Sequence, residues 1–283
     1  MTCPNRDGTL GYEGCAFCAA GSGDFAIPYE GQKLERKDLI YSNKDGKEGD
    51  YIAYFQSYSN TYAPIERLRK LYMHALEDPL FAGISIATRP DCFSEEIYAL
   101  LEEMKEKYPD QFIWIELGLQ TANEKSAEKM HRGYANAVFE NCVRHLHELN
   151  IPVIVHIIIG LPDEDIDDDL KTIQYLNALK IEGIKIHLLH FLKGTEYGRL
   201  YSEGKIEELS MSEYVSAVAE CLAELDPDTV IHRLSGDGSG ELLLGPDWSR
   251  DKKKVLNAIR HEMKVKGYIQ GCHYEPERND QIA

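Results

Sequence analysis

Three cysteines crowd the start of the chain: Cys3, then eleven residues, Cys15, then two residues, Cys18. Gly8, Gly11 and Gly14 lie between them, so the thiols sit on a Gly-rich loop. Three soft thiolates can hold a four-iron cluster by three corners. Such clusters ordinarily take four cysteines, and a set of three leaves one iron open to a non-protein ligand. A Cys-x-x-Cys pair with a third cysteine also suits tetrahedral zinc. A closed zinc site needs a fourth Cys or His nearby, and the first histidine of the chain is His74. That weighs toward the cluster and leaves zinc open.

The other four of the seven cysteines, Cys92, Cys142, Cys221 and Cys272, are dispersed and read as buried or incidental thiols. His156 and His187 can move protons in a cavity, although a strand histidine is more often a hydrogen-bonded core residue. His190 stands an odd number of residues from His187 and is expected on the opposite face. Glu116 and Gln120, four apart on or just beyond one strand, share a side if the strand runs that far. The acids Asp163, Glu164, Asp165, Asp167, Asp168 and Asp169 read as first-turn carboxylates facing solvent against a helix dipole, not as a metal site. Gly236 to Gly240 lacks the Lys-Ser/Thr of a phosphate loop and reads as a flexible turn. Lys253, Arg260 and Lys264 share one face of a basic terminal helix near Trp248 and Tyr268, a surface suited to an RNA backbone.

Positioning these groups falls to alternating elements. Apolar β-branched runs at Tyr51 to Gln56, Gly83 to Thr88, Phe112 to Leu119, Pro152 to Ile159 and Ile184 to Phe191 are expected strands. Helical periodicity follows Pro64, expected in a first turn, and Ser94 and Asn136, expected as N-caps. A further helix runs on from the acidic stretch. Consecutive apolar residues such as Ile157, Ile158 and Ile159 suit a sheet covered on both faces, which makes the class α/β, either barrel or doubly wound. Beyond Phe191 the pattern reads as irregular and polar, then a short strand at Thr229 to Leu234 and a helix from Asp251 to Lys266. With 283 residues the chain can build one large barrel or two ordinary domains. Its 31 Lys+Arg against 48 Asp+Glu repel nucleic acid at long range, so a polyanion must meet a local basic patch. No apolar run approaches the roughly 20 residues of a bilayer-spanning helix. No membrane association is expected, and the chain reads as cytoplasmic.

The segment Cys3-Pro4-Asn5-Arg6-Asp7-Gly8-Thr9 with Gly14-Cys15-Ala16-Phe17-Cys18 resembles the cluster loop of a bacterial radical S-adenosylmethionine (radical SAM) family related to the Elongator catalytic subunit. The likeness continues through Ala87-Thr88-Arg89-Pro90-Asp91, Glu116 to Thr121, His156 to Pro162, His187 to His190, Lys193-Gly194-Thr195 and His232-Arg233-Leu234. It implies a [4Fe-4S] cluster on Cys3, Cys15 and Cys18, with the open iron taken by the amino acid end of SAM. Reduction then yields a 5′-deoxyadenosyl radical, the electron coming from ferredoxin or flavodoxin. SAM is expected near Phe17, Gln56, Ser57, Glu116, Gln120 and Gly160. Residues 54–61 replace the family's common Gly-Gly-Glu form. The implied fold is a partial (βα)6-type barrel over residues 1–195, with a C-terminal extension over 196–283 serving as lid or substrate-binding segment. Only Met1 and Thr2 precede Cys3, so the barrel's first strand is expected to be missing, as in a fragment or a start site placed too late. The resemblance implies tRNA wobble-uridine modification. The alternatives are a radical SAM enzyme acting on a peptide or small molecule, and a non-catalytic, zinc-stabilised binding protein.

Overall fold

The computed structural model describes residues 1–19, 51–236 and 240–276, so the expected turn at Gly236 to Gly240 lies in part outside the described residues. The strands are β1 (Tyr51–Phe55), β2 (Phe81–Thr88), β3 (Phe112–Gln120), β4 (Val153–Ile159), β5 (Gly183–Leu188), β6 (Phe191–Leu192), β7 (Val230–Arg233) and β8 (Leu243–Gly245). The helices are α1 (Ile65–Glu77), α2 (Glu95–Lys107), α3 (Glu124–Lys129), α4 (Asn136–Glu148), α5 (Ile166–Ala178), α6 (Glu196–Ser202), α7 (Met211–Glu224) and α8 (Lys252–Lys266). Six strands pair in parallel in the order β1-β2-β3-β4-β5-β7 and curl into a half-barrel, while β6 and β8 pair antiparallel apart from it.

Alternation along the strands decides what each face meets. Ile84 and Ile86, Ile113 to Leu119 at every second position, Val153 to Ile159 likewise, and Ile184 to Leu188 likewise join the helices in one core. The residues between them must therefore line the opposite, inner face. Helices cover one face only, not both as the sequence led one to expect; the inner face is the concave side of the curl. Ile157 and Ile159 belong to the helix side, whereas Ile158 packs with Ala16, Met130 and Leu161 in a second cluster.

Helix starts follow the sequence in part. Ser94 precedes α2 as expected. Pro64 stands at the N-cap position of α1, one place before a first-turn site. Asn136 is the first residue of α4 rather than its cap, because its side chain is drawn to Arg132 Nη2 and the Ala122 carbonyl, both at 2.8 Å. Asp251 caps α8 by accepting the Lys254 N–H.

The main departure is α7, in the stretch read as irregular. A capping box of Ser210 and Glu213 starts it, and Tyr214, Val218, Cys221 and Leu222 bury against α5, β4 and α8. It forms the crossover from β5 to β7. The expected strand from Ile184 to Phe191 also breaks at Leu188, with Phe191 passing into the small second sheet.

Helix α7 changes the environment of the acidic run. Asp165 caps α5 in a capping box with Asp168, and Asp163, Asp165 and Asp167 face solvent as expected. Asp169 does not: it is 8% exposed, close enough to Tyr214 and Cys221 for its charge to act on both. Burial, with Glu164, Asp168 and Asp165 adding to it, pushes its carboxyl up to about 8. A raised carboxyl favours folding below the unfolded value near 3.9 and loses that contribution as pH climbs to about 8. Asp169→Asn is therefore expected to stabilise the protein at pH 8.5 by on the order of 2 kcal/mol and to change little near pH 4. Urea unfolding at the two pH values measures this, and an equal effect at both would refute it.

Candidate functional site

The cysteine loop folds on itself before it docks. Leu10 N and Gly11 N donate to the Pro4 carbonyl, and Gly14 N donates to the Asn5 carbonyl at 2.8 Å. Gly14 has φ +82°, a backbone conformation that strains any residue carrying a Cβ and that glycine adopts freely. Three bonds then seat the loop over the sheet. Asn5 Nδ2 donates to the His131 carbonyl at 2.7 Å, Ala16 N to the Met130 carbonyl at 3.0 Å, and Tyr197 N to the Ala16 carbonyl at 2.9 Å. Met130 and His131 lie in the β3–β4 connection, beyond the carboxyl end of β3, the side on which βα barrels place their chemistry.

Cys3, Cys15 and Cys18 are all reduced and partly exposed. Burial pushes the Cys15 thiol up to about 11, with Cys18 and then Cys3 adding to it and Arg89 and the Asn5 amide opposing. Asn5 Nδ2 lies 3.3 Å from Cys15 Sγ, while Cys18 Sγ turns to the Ala19 carbonyl at 3.3 Å. Among the described residues no three Cys, His, Asp or Glu side chains stand as a finished metal-ligating group. The donor set still fits a soft centre: three free thiols near enough to sense each other's charge, with the guanidinium of Arg6 acting on Cys18 and Cys3. A cavity of about 1000 Å³ opens beside Cys15, lined by Arg6, Gly14, His131, Lys193 and Arg199. The remaining cysteines are as expected, Cys92, Cys142 and Cys221 buried and Cys272 exposed, all free.

The seat is held by Arg132 and Tyr134, which lie outside the motifs of the sequence resemblance, and by Arg89 and Asp91, which lie within them. Arg132, 1% exposed, donates to the carbonyls of Leu119, Thr121 and Tyr134, to Asn136 Oδ1 and to Glu124. Arg89 pairs with Asp91 at 2.7 and 2.9 Å and lies 4.9 Å from the Tyr134 ring centre. Tyr134 is thus clasped by two guanidiniums, the second at 4.8 Å.

The expected cofactor residues fall at different places. Phe17 packs into the cluster formed by Ala16, Met130, Ile158 and Leu161. Gln56 is exposed and Ser57 half-buried just past β1, where Asn60 ties the Phe55 and Ala87 carbonyls together. Gly160, with φ +89° at the end of β4, lines a cavity of about 930 Å³ toward α5 and α7. Gln120 has φ +65°, and the register shifts between Gly118 and Gln120, so strict alternation does not carry from Glu116 to it. Its amide folds back over Gly118, where a Cβ would sit 2.4 Å from Nε2. Lys253, Arg260 and Lys264 are exposed on α8, which packs on the outside of α7.

Glu116 occupies the concave face and gathers the other strands. Its carboxylate accepts from Tyr54 of β1 at 2.8 Å, Ser85 of β2 at 2.6 Å, His156 Nε2 of β4 at 2.7 Å and Lys185 of β5 at 2.6 Å. Burial opposes its charge, but His156 and Lys185 outweigh that and hold it well below the usual carboxylate range. With His156 Nε2–H directed at Glu116, Nδ1 accepts from His187 Nε2 at 3.2 Å, and the two rings stack. Burial pushes both imidazoles down, so both are neutral at pH 7. His187 and His190 were expected on opposite faces; both rings lie against Gly236, because the strand ends at Leu188 and alternation ends with it.

Comparison with known proteins gives this arrangement a family. The model of the Radical SAM superfamily matches residues 5–176, and that of the Radical_SAM C-terminal domain matches residues 181–265. The chain is 43% identical to YtqA of Bacillus subtilis, covering 96% of this chain and 85% of that protein. It is 31% identical to YhcC of Escherichia coli K12, covering 98% and 89%. The structure of archaeal Elp3 from Methanocaldococcus infernus matches with a TM-score of 0.62 and 16% identity, over 75% of this chain and 53% of that one, so the chain spans about half of it. The family's cofactors are a [4Fe-4S] cluster and SAM, which decides between the cluster and zinc. Three reduced thiols docked at the carboxyl edge of a curled parallel sheet, and a family match over more than half the length, establish that this chain belongs to the radical SAM superfamily.

Proposed function

We propose that this protein reductively cleaves SAM and uses the resulting radical to modify a wobble uridine of tRNA. The observation that carries the first part is the seating of Cys3, Cys15 and Cys18 on one bent loop above the strand ends. These cysteines would hold the cluster by three corners, and Phe17, Gln56, Ser57, Gln120 and Gly160 border the space for SAM, with Glu116 deeper in the sheet. When bound, the pair supplies one-electron cleavage of SAM to methionine and a 5′-deoxyadenosyl radical. Asn5 and Arg6 fix the loop, Arg89 and Tyr134 hold the seat beneath it, and the apolar cluster around Ile158 keeps water from that side. The family needs an external electron donor, and ferredoxin or flavodoxin fills that role in this reading.

Support for tRNA comes from the relation to Elongator proteins and from Lys253, Arg260 and Lys264, a solvent-facing basic stripe on a chain of net charge −17. In this reading residues 196–283 are the part that meets substrate and the protein works in the cytoplasm. Among the described residues no helix is long and apolar enough to cross a membrane.

Alanine at Cys3, Cys15 or Cys18 is expected to remove the cluster's visible absorption and at least 100-fold of 5′-deoxyadenosine release after anaerobic reconstitution. Retention of both by the Cys15→Ala protein would sink the cluster assignment. Reversing Lys253, Arg260 and Lys264 to Glu is expected to weaken tRNA binding and to lower the salt slope by about 3. Unchanged affinity at low salt would remove the tRNA contact from α8.

A further inference from the structure

The concave face carries more positive charge than the sheet neutralises. Lys185 and Arg233 lie opposite each other in the β5–β7 register, and Arg233 is near enough to act on Lys185, His156 and His187. Glu116 is the carboxylate that answers them, and its donors are others: Tyr54, His156 and Lys185 converge on Oε2 and Ser85 takes Oε1, with Arg233 not among them. Both histidines are neutral, so two cations face one carboxylate. Among the described residues no hydrogen bond or ion pair is made by the half-buried Arg233 guanidinium. The Lys185 ammonium uses two of its three donors, on Glu116 at 2.6 Å and Tyr54 at 3.3 Å.

A half-buried fork of five N–H groups beside a second cation, inside an otherwise anionic protein, matches a planar or tetrahedral oxyanion. Lys185 lies three residues before the end of β5, about 10 Å below the strand ends at ~3.3 Å per residue. That depth sets it apart from the cysteine loop at the edge. Trp114 lines the same face, edge-on to His232 at 5.4 Å, and offers a wall for a planar ring.

We propose that Arg233 and Lys185 form an oxyanion-binding floor that receives a phosphate or carboxylate of the substrate and fixes its depth in the half-barrel. That the oxyanion belongs to the substrate rests on the proposed function; the anion site itself does not.

Calorimetric titration of the reconstituted full chain with inorganic phosphate, UMP, uridine and acetate tests it. Saturable binding of phosphate and UMP without uridine assigns a nucleotide phosphate, and saturable acetate binding with phosphate silent assigns a carboxylate. Arg233→Gln should weaken the bound probe at least 10-fold, and Arg233→Lys should restore most of it. The imidazole resonances of His156 and His187 in the unaltered protein should also shift on titration, a reading that needs no variant. Absence of saturable binding with no imidazole shift, an R233Q affinity equal to that of the parent, or an effect confined to SAM affinity would each overturn the proposal. SAM cleavage by the unaltered protein tests the earlier reading separately.

Discussion

Arg132→Met is expected to lower stability by about 3–5 kcal/mol, which for a chain of this size displaces the melting temperature by roughly 6–20 °C. The expectation follows from what the guanidinium does. It meets three backbone carbonyls: Leu119 at the register shift near the end of β3, Thr121 just past that strand, and Tyr134 beyond α3. Removing it leaves buried acceptors without donors, each costing about 1–3 kcal/mol, while methionine replaces only the stem. Glu124, whose side chain is half exposed, turns to water and adds little. The loss is not confined to stability. Met130 and His131 present the carbonyls that seat Ala16 and Asn5, so loosening this turn should free the cysteine loop and lower iron retention after desalting. Thermal melts and iron analysis of the same preparation measure both. A variant that melts lower yet keeps all its iron would separate the turn from the loop.

Arg132 also marks where sequence reading stopped. Strands β2 to β4 were legible as continuous apolar, β-branched runs, and the cysteine spacing was legible because it lies within a single loop. The seat was not. Met130 to Tyr134 has neither helical nor strand periodicity, and its role comes from carbonyls, which every residue possesses. Helix α7 was hidden for another reason: the stretch leading into it, Lys205 to Ser210, is mostly polar, and its one start signal is the capping box of Ser210 and Glu213. Missing α7 misplaced Asp169, since a carboxylate at the fourth position of α5 faces solvent only if no helix lies against it. On the concave face Glu116, His156 and His187 were singled out one strand at a time. Their union through Tyr54, Ser85 and Lys185 depends on register across five strands, which a hydropathy pattern does not encode. Charged or polar residues at single inward positions of otherwise apolar strands were the available signal.

That union predicts coupled energetics. Glu116→Gln should cost about 3–5 kcal/mol, because it leaves the Lys185 ammonium buried without a counter-charge. Lys185→Met alone should cost less, since Glu116 keeps three neutral donors in Tyr54, Ser85 and His156. Combined, the two substitutions should fall short of the sum of the singles by at least 1.5 kcal/mol, because the second removes the charge that the first had stranded. The pH dependence carries the same signature. Glu116 is depressed in the fold, so its contribution is complete above the unfolded carboxylate value near 4.3 and fades as pH drops below it toward the folded value. The parent should therefore lose stability on acidification below about pH 5 more steeply than the Glu116→Gln variant, which has no proton to take up there. Urea unfolding from pH 7 to pH 3.5 on the four proteins of the cycle yields both quantities. Additivity within 0.5 kcal/mol together with parallel acid limbs would mean that the strands hold these groups independently, and the concave face would then be a row of separate polar residues rather than one network.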